Sequence, residues 1–331
     1  MNAPRKQGSF YYRDLLGAQA RAFYDSMLAR FLRKDYSGVI PLPVTDPQNV
    51  GDDCNAAFLA IRDDHPELFY LGTRYELVRS GTQATMKWDI LYSQEDIPRI
   101  QHQLSKRICK IVHGTADLSL VEREQLVYER IAKQLTYVNN HDYRDHNIVG
   151  PVLMSAAVCE GYNAMLMLCL RRVGIPCIKV YGKSRKDGLH CWSIVWIQGE
   201  PVHCDVTWDT PHEGTVFFDY FNLSDRQIGR DHFDFQGDNI PVCTAEHLNY
   251  YRLHRCSFPT QIAYAGYVCS VIQKLHHAPV FAQLCFADTE ETIRSAVNNA
   301  LNSCTGWPPC SIRMNPAIQT AVLLPSRKTG Y

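Results

Sequence analysis

The sequence predicts an α+β fold in which a helix at residues 159–173 packs on an antiparallel sheet. Three observations favour this class. Segments with helical spacing of apolar residues dominate the first 138 positions, one hairpin interrupts them, and short strand-like segments follow the helix that ends near residue 173. Hydrophobic residues make up 46% of the 331 positions and charged residues 21%, which is typical of a globular chain with a sizeable core.

Residues 1–138 are predicted to form an α-rich amino-terminal lobe with one hairpin. Apolar residues recur at helical spacing over 14–33, where Asp14 is a candidate N-cap. Two extended segments on either side of Ser80-Gly81 predict the hairpin. The further helices and the two strands of the hairpin are expected at 53–61, 95–112, 119–137, 68–78 and 85–92.

Residues 139–235 are predicted to form the central domain, and residues 236–331 a small α/β extension. The central domain opens with a polar loop at 139–147, and its helix at 159–173 is closed by Gly174-Ile175-Pro176, since glycine can end a helix and proline prevents its continuation. Its strands are expected at 177–182, 190–197 and 202–207. The extension is expected to contain helices at 260–275 and 289–303 and strands at 279–286 and 320–324.

The zero net charge and the short apolar runs argue against nucleic acid and membranes as partners. Lys plus Arg and Asp plus Glu both count 34, so no global field attracts nucleic acid. No window approaches the roughly 20 apolar residues that span a bilayer, and Met1 to Ser9 lead into no apolar signal segment. The thirteen cysteines are scattered through apolar segments and are interpreted as buried packing residues, not as a disulfide framework. A cytoplasmic location is therefore expected.

Cys159 is the candidate nucleophile. It stands at the start of the helix at 159–173, where the macrodipole and a nearby histidine would favour the thiolate. Its backbone N–H has no partner within the helix and is a candidate donor to an oxyanion. Gly161 is interpreted as leaving room for a substrate backbone.

His190 and Asp205 are the candidate base and orienting acid, because they lie on two strand segments joined by Gln198-Gly199-Glu200-Pro201. With a two-residue or a four-residue loop the two side chains share one face of the hairpin, whereas a three-residue loop puts them on opposite faces. The length of the loop therefore decides whether they can meet.

Four sequence blocks in this region resemble the core of transglutaminase-like proteins, in their bacterial branch. The blocks are VCEGY at 158–162, GIP at 174–176, HCW at 190–192 and DVTWD at 205–209, and YFNLSD at 220–225 is also similar. The resemblance implies a papain-related fold with a Cys159, His190 and Asp205 triad and no cofactor. Cys191 departs from the pattern, since that position is usually a small residue such as alanine.

Other readings compete with this one at several residues. His190, Cys191, His203 and Cys204 are of types that bind zinc, but strand alternation puts the two histidines on one face and the two cysteines on the other, so no metal site is predicted. Substrate contacts are assigned to four residues, for which packing in the core is the alternative: Tyr162, Trp192, Trp208 and Asp209. The polar loop at 139–147 either borders a cleft or is an ordinary connection.

The combined interpretation is a cysteine enzyme that acts on amide bonds of a peptide or protein substrate through a thioester intermediate. Hydrolysis, as in a protease or amidase, is favoured. Transfer to an amine, as in a transglutaminase, and a catalytically inactive interaction protein with the same fold are the alternatives. No nucleic acid or membrane partner is expected.

Overall fold

The computed structural model describes residues 10–139, 142–186, 188–211, 214–235 and 239–326. These residues fall into two compact units. The first takes the described residues within Met1–Val180, Cys191–Gly199 and Gly237–Ile240, and the second takes those within Tyr181–His190, Glu200–Gln236 and Pro241–Tyr331. The predicted boundaries at 138 and 235 divide the chain into three continuous parts, whereas each observed unit is built from separate segments of the chain. The three-part division stays a prediction.

The first unit contains six α-helices and a three-stranded antiparallel sheet among its described residues, as well as a two-residue parallel pairing. The helices are α1 Tyr11–Leu15, α2 Ala18–Leu32, α3 Val50–Asp64, α4 Asp96–Val112, α5 Leu120–Gln134 and α6 Cys159–Arg172. The strands are β1 Val39–Leu42, β2 Leu71–Ser80, β3 Gln83–Ile90 and the short pair β4 Thr136–Tyr137 and β5 Ala156–Ala157. The larger sheet has the order β1-β3-β2.

The amino-terminal helix and hairpin depart from the sequence prediction in two places. The expected helix at 14–33 is two helices, because the chain breaks after Leu15 and Gly17, not Asp14, is the N-cap of α2. The predicted hairpin gains a third strand, since β1 pairs antiparallel with β3. The β1 segment has only four residues and contains Pro41, so its extended conformation depends on this pairing.

A four-stranded sheet carries the segments of the predicted central hairpin. Its strands are β6 Cys177–Ser184, β7 Gly188–Ile197, β8 Glu200–Cys204 and β9 His232–Phe233, in the order β8-β7-β6-β9, and β6 and β7 each have residues in both units. The loop from β7 to β8 is Gln198-Gly199, with φ angles of 54° and 87°. Positive φ at both positions is the geometry of a two-residue hairpin turn, which is one of the loop lengths that put His190 and Asp205 on one face.

The second unit ends in a mixed sheet packed on two helices. Its remaining α-helices and strands are α7 Asp225–Ile228, α8 Tyr250–Leu253, β10 Ser257–Phe258, α9 Gln261–Val271, β11 Val280–Leu284, α10 Glu290–Asn302, β12 Cys310–Asn315 and β13 Thr320–Pro325. The strand order is β10-β11-β13-β12, and only the β10 and β11 pair is parallel. Apolar residues of α9, α10, β11 and β13 form its buried core. Helices and mainly antiparallel sheets together confirm the α+β class.

The cysteines differ from the sequence interpretation. Cys269 on α9 and Cys304 after α10 form a disulfide across 35 residues, and Cys109 and Cys285 are exposed thiols. The expectation that all were buried packing residues is therefore wrong for these positions. Within the described ranges, no helix has the length and apolar character needed to cross a membrane.

Candidate active site

Cys159 is the first residue of α6 and is half-buried. Val158 is the N-cap, with an extended backbone and no side-chain cap. Because the N–H groups of a first helical turn have no partner within the helix, this end of α6 carries partial positive charge. A thiolate at Cys159 would lie in that field.

One buried amide ties the start of α6 to β7 within the first unit. Asn163 donates from Nδ2 to the Cys159 carbonyl at 3.1 Å and to the Cys191 carbonyl at 2.9 Å. Its Oδ1 accepts the hydroxyl of Ser193. Sequence reasoning missed both residues. The signal was there, since Asn163 is a polar residue one turn after Cys159 on the apolar face of the helix.

Cys191 is buried and its thiol interacts with that of Cys159. Burial first, and then the hydrogen bond with Cys159, raise the pKa of the Cys191 thiol well above its usual value. Cys191 therefore stays protonated near neutral pH. The residue that the resemblance marks as a departure thus lies against the candidate nucleophile.

The described residues 142–147 of the polar loop pack against the start of α6, whereas residues 140 and 141 lie outside the described residues. Its residues Tyr143–His146 form a 3-10 turn, and His146 Nδ1 lies 2.6 Å from a carboxylate oxygen of Glu160. A Cβ on Gly161 would come within 2.9 Å of the Asp145 carbonyl and 2.6 Å of the Ala157 side chain. The predicted space for substrate at Gly161 is therefore filled by the protein's own chain, and the glycine permits this close packing.

His190 and Asp205 form a buried pair in the second unit. His190 Nε2 lies 2.7 Å from Asp205 Oδ2, and the two residues expose 5% and 1% of their surface. The second carboxylate oxygen, Oδ1, accepts the backbone N–H of Thr207 at 3.0 Å. Asp205 is thus fixed by its own chain as well as by the histidine.

A second histidine, His232 on β9, shares the same carboxylate. Its Nε2 lies 3.1 Å from Asp205 Oδ2, and its Nδ1 lies 2.7 Å from Asp231 Oδ1. The antiparallel pairing of β9 with β6, in which His232 faces Ser184, brings it there. Sequence reasoning missed His232 because no spacing rule predicts the pairing of a two-residue strand.

The charges of this cluster follow from burial and mutual contact. Burial alone would raise the pKa of Asp205, but the two histidines, His190 foremost, outweigh it and hold that pKa well below its usual range. Burial alone would lower the pKa of His232, but hydrogen bonds to Asp205 and Asp231 outweigh burial and raise it. The same contacts therefore stabilise the ionised form of Asp205 and the protonated form of His232.

Of the four predicted substrate contacts, Trp208 alone retains partial exposure. Its ring lies 5.9 Å from that of His190 and 4.4 Å from that of His232. Tyr162, Trp192 and Asp209 each expose 0% of their surface. Asp209 accepts the backbone N–H groups of Asp219 and Tyr220, so its carboxylate has a structural function. Contact with substrate stays a prediction for all four, and burial favours the packing alternative for three of them.

Two groups in the described part of the chain combine residue types that metals bind: His190 with Asp205 and His232, and His203 with Asp225 and Cys243. In each group the carboxylate already accepts hydrogen bonds. Asp225 lies 2.8 Å from His203 Nε2 and 3.1 Å from the Cys243 backbone N. The four zinc-binding residue types noted in the sequence, His190, Cys191, His203 and Cys204, do not form one group, because His190 and His203 lie in different groups. Hydrogen bonding accounts for both clusters, and we assign no metal site.

Comparison with known proteins gives one family match. Residues 106–206 match the model of the transglutaminase-like superfamily, a segment that contains Cys159, His190 and Asp205. The comparison with curated proteins gives no match.

Two of the solved structures that match are similar to this chain at a low level. A crystal structure of a TGase has a TM-score of 0.29 and 16% identity over 51% of this chain and 50% of that one. A protein from Cytophaga hutchinsonii, named "Putative Cysteine Protease", has a TM-score of 0.29 and 14% identity over 44% of this chain and 65% of that one. The chain thus covers less than two thirds of either structure. At these TM-scores neither likeness supports a statement about function.

The class defined by these findings is an α+β protein with a half-buried cysteine at a helix start and a buried histidine and aspartate pair. Residues 106–206 thus carry a match to the transglutaminase-like superfamily, which confirms the family resemblance seen in the sequence.

Proposed function

We propose that the protein is a cysteine enzyme that acts on amide bonds of peptides or proteins, with Cys159 as nucleophile, His190 as base and Asp205 as the orienting acid. The observation that supports this most strongly is the buried bond of 2.7 Å between His190 Nε2 and Asp205 Oδ2. A carboxylate that accepts the N–H of Nε2 selects the tautomer in which Nδ1 carries no proton, and Nδ1 can then take up the proton of a thiol. The family match over the same segment agrees with this assignment.

In the proposed reaction Cys159 transfers its proton to His190, and the thiolate attacks the amide carbonyl. The oxyanion of the tetrahedral intermediate is stabilised by N–H groups at the start of α6. The amine leaves with the proton from His190, and a thioester on Cys159 is left. Water then releases the acid, so that the net reaction is hydrolysis.

Alkylation of Cys159 tests the nucleophile. The wild-type protein is treated with iodoacetamide between pH 5 and 9, and labelled cysteines are quantified by peptide mass spectrometry. The exposed Cys109 and Cys285 are internal references. We expect Cys159 to react about tenfold faster than either at pH 6, because a thiolate and not a thiol is the nucleophile. His190→Gln should remove this advantage. Equal rates for the three cysteines would contradict the proposal.

Turnover is tested with casein as substrate, with and without a biotin-labelled primary amine. Hydrolysis predicts peptide fragments or deamidated glutamine that are absent with Cys159→Ala, and no biotin on the casein. Incorporation of biotin that depends on Cys159 would instead identify an amine acyltransferase. A fast-reacting Cys159 with neither product from casein or from a mixed peptide library would favour the catalytically inactive alternative.

A further inference from the structure

The Asp205 carboxylate lies between two histidines, one more than the proposed mechanism uses. The Nε2 atoms of His190 and His232 approach the same oxygen, Oδ2, at 2.7 and 3.1 Å. The centroids of the two rings are 5.5 Å apart. All three residues belong to the second unit and expose 5% of their surface or less.

The other ring nitrogen of His232, Nδ1, also has a carboxylate partner. Nδ1 lies 2.7 Å from Asp231 Oδ1, and Asp231 Oδ2 accepts the hydroxyl of Tyr220 at 2.6 Å. Both ring nitrogens therefore face carboxylates, and only the protonated imidazolium can donate to both. With no surface exposed, the ring cannot exchange either partner for water without moving.

We propose that His232 is a positioning residue for the proposed cysteine enzyme: it holds the Asp205 carboxylate through Oδ2 and thereby sets the orientation and the charge state of His190. This inference rests on the proposed function. The titratable groups that interact with His232 include Asp205, Asp231, His190, Tyr220 and His203. The two aspartates favour the charge on His232, and that charge disfavours a second one on His190.

The size of the effect follows from the distance between the rings. Two unit charges 5.5 Å apart repel by an amount that shifts a pKa by about 0.5 units in water and about 2 units at the effective dielectric constant of a protein interior. Removing the charge of His232 should therefore raise the pH at which His190 loses its proton by about 0.5–2 units. A purely structural residue would leave that pH unchanged.

The variant is His232→Gln, which keeps an amide donor toward Asp205 but cannot carry charge. The titration of the His190 ring is followed by ¹H–¹⁵N NMR of histidine-labelled protein, with the His190→Gln spectrum for assignment. The expected result is an upward shift of 0.5–2 pH units, with a matching shift in the alkaline limb of Cys159 alkylation. His203→Gln is the matched control, because His203 is also 0% exposed and bound to a carboxylate, Asp225, and no shift is expected there.

A His190 titration that coincides in wild-type, His232→Gln and His203→Gln proteins would overturn the inference. A shifted titration without fast alkylation of Cys159 in the wild-type protein would support the role of His232 and refute the proposed function, so the two failures are distinguishable. If His232→Gln does not fold, the wild-type spectrum decides. Two protonated ring nitrogens on His232 at pH 6 support the inference, and one unprotonated nitrogen refutes it.

Discussion

Replacing Asp205 by asparagine removes the charge that both histidines share. The carboxylate accepts three hydrogen bonds, from His190, from His232 and from the backbone N–H of Thr207, and it is 1% exposed. Removing one partner of a buried charged pair costs about 3–5 kcal/mol because the other charge stays buried. We therefore expect Asp205→Asn to lower the free energy of unfolding by that amount, with loss of any activity that depends on Cys159.

The loss of unfolding free energy in Asp205→Asn should depend on pH in a defined direction. The lowered pKa of Asp205 contributes stability above the ordinary aspartate value of about 3.9, and that contribution is lost as the pH falls through the folded pKa. The raised pKa of His232 contributes stability below the ordinary histidine value of about 6.5, and that contribution is lost as the pH rises through the folded pKa. Both contributions are present between about pH 4 and 6.5, so the difference between the wild type and Asp205→Asn should be largest there.

Urea unfolding at pH 5.5 and at pH 8.5, followed by circular dichroism, measures this difference. Asp234→Asn is the matched control, since Asp234 pairs with Lys183 at 3.0 Å but is 50% exposed, and its loss should be about 0–1 kcal/mol at either pH. A loss under about 1 kcal/mol for Asp205→Asn, equal at the two pH values, would refute the reasoning.

Three further predictions concern the packing around the site and the disulfide. Gly161→Ala should lower the free energy of unfolding by about 1–3 kcal/mol in thermal unfolding, because its Cβ would lie 2.6 Å from a neighbouring methyl group. The control Gly266→Ala, whose Cβ would have nothing within 4 Å, should be neutral or stabilising, and equal shifts for the two variants would contradict this prediction. Asn163→Leu should cost about 2 kcal/mol in urea unfolding because it leaves buried partners unpaired, and an unchanged midpoint would count against that network. Reduction of the disulfide between Cys269 and Cys304 should cost about 3–4 kcal/mol for its loop of 35 residues, an effect that a Cys269→Ser variant should not show.

The sequence predicted the elements whose signals are local. The helix at 159–173 is observed as α6 Cys159–Arg172, because a long apolar stripe and the following Gly174 and Pro176 define it within its own residues. The turn Gln198-Gly199 between β7 and β8 has two residues, which is one of the loop lengths that keep His190 and Asp205 on one face. Elements that depend on a partner were missed. The strand β1 Val39–Leu42 is too short to show a period and forms by pairing with β3.

The same distinction applies to the candidate site. Residue types and side-chain alternation put His190 and Asp205 on one face of a hairpin only for a two-residue or a four-residue loop. The observed turn Gln198-Gly199 decided between these alternatives. The space around Gly161 was predicted wrongly, because a glycine in a sequence does not tell whether a substrate or the protein's own chain approaches it.

The sequence by itself indicated the resemblance to the transglutaminase-like core, the mixture of helices and strands, and His190 and Asp205 as candidate partners. Only the tertiary structure decided that His232 reaches the same carboxylate, since strand β9 lies 27 residues beyond Asp205 and pairs with β6 through two residues. Long-range pairing depends on the packing of the whole sheet, and its physical consequence here is a buried charge that no local pattern could reveal.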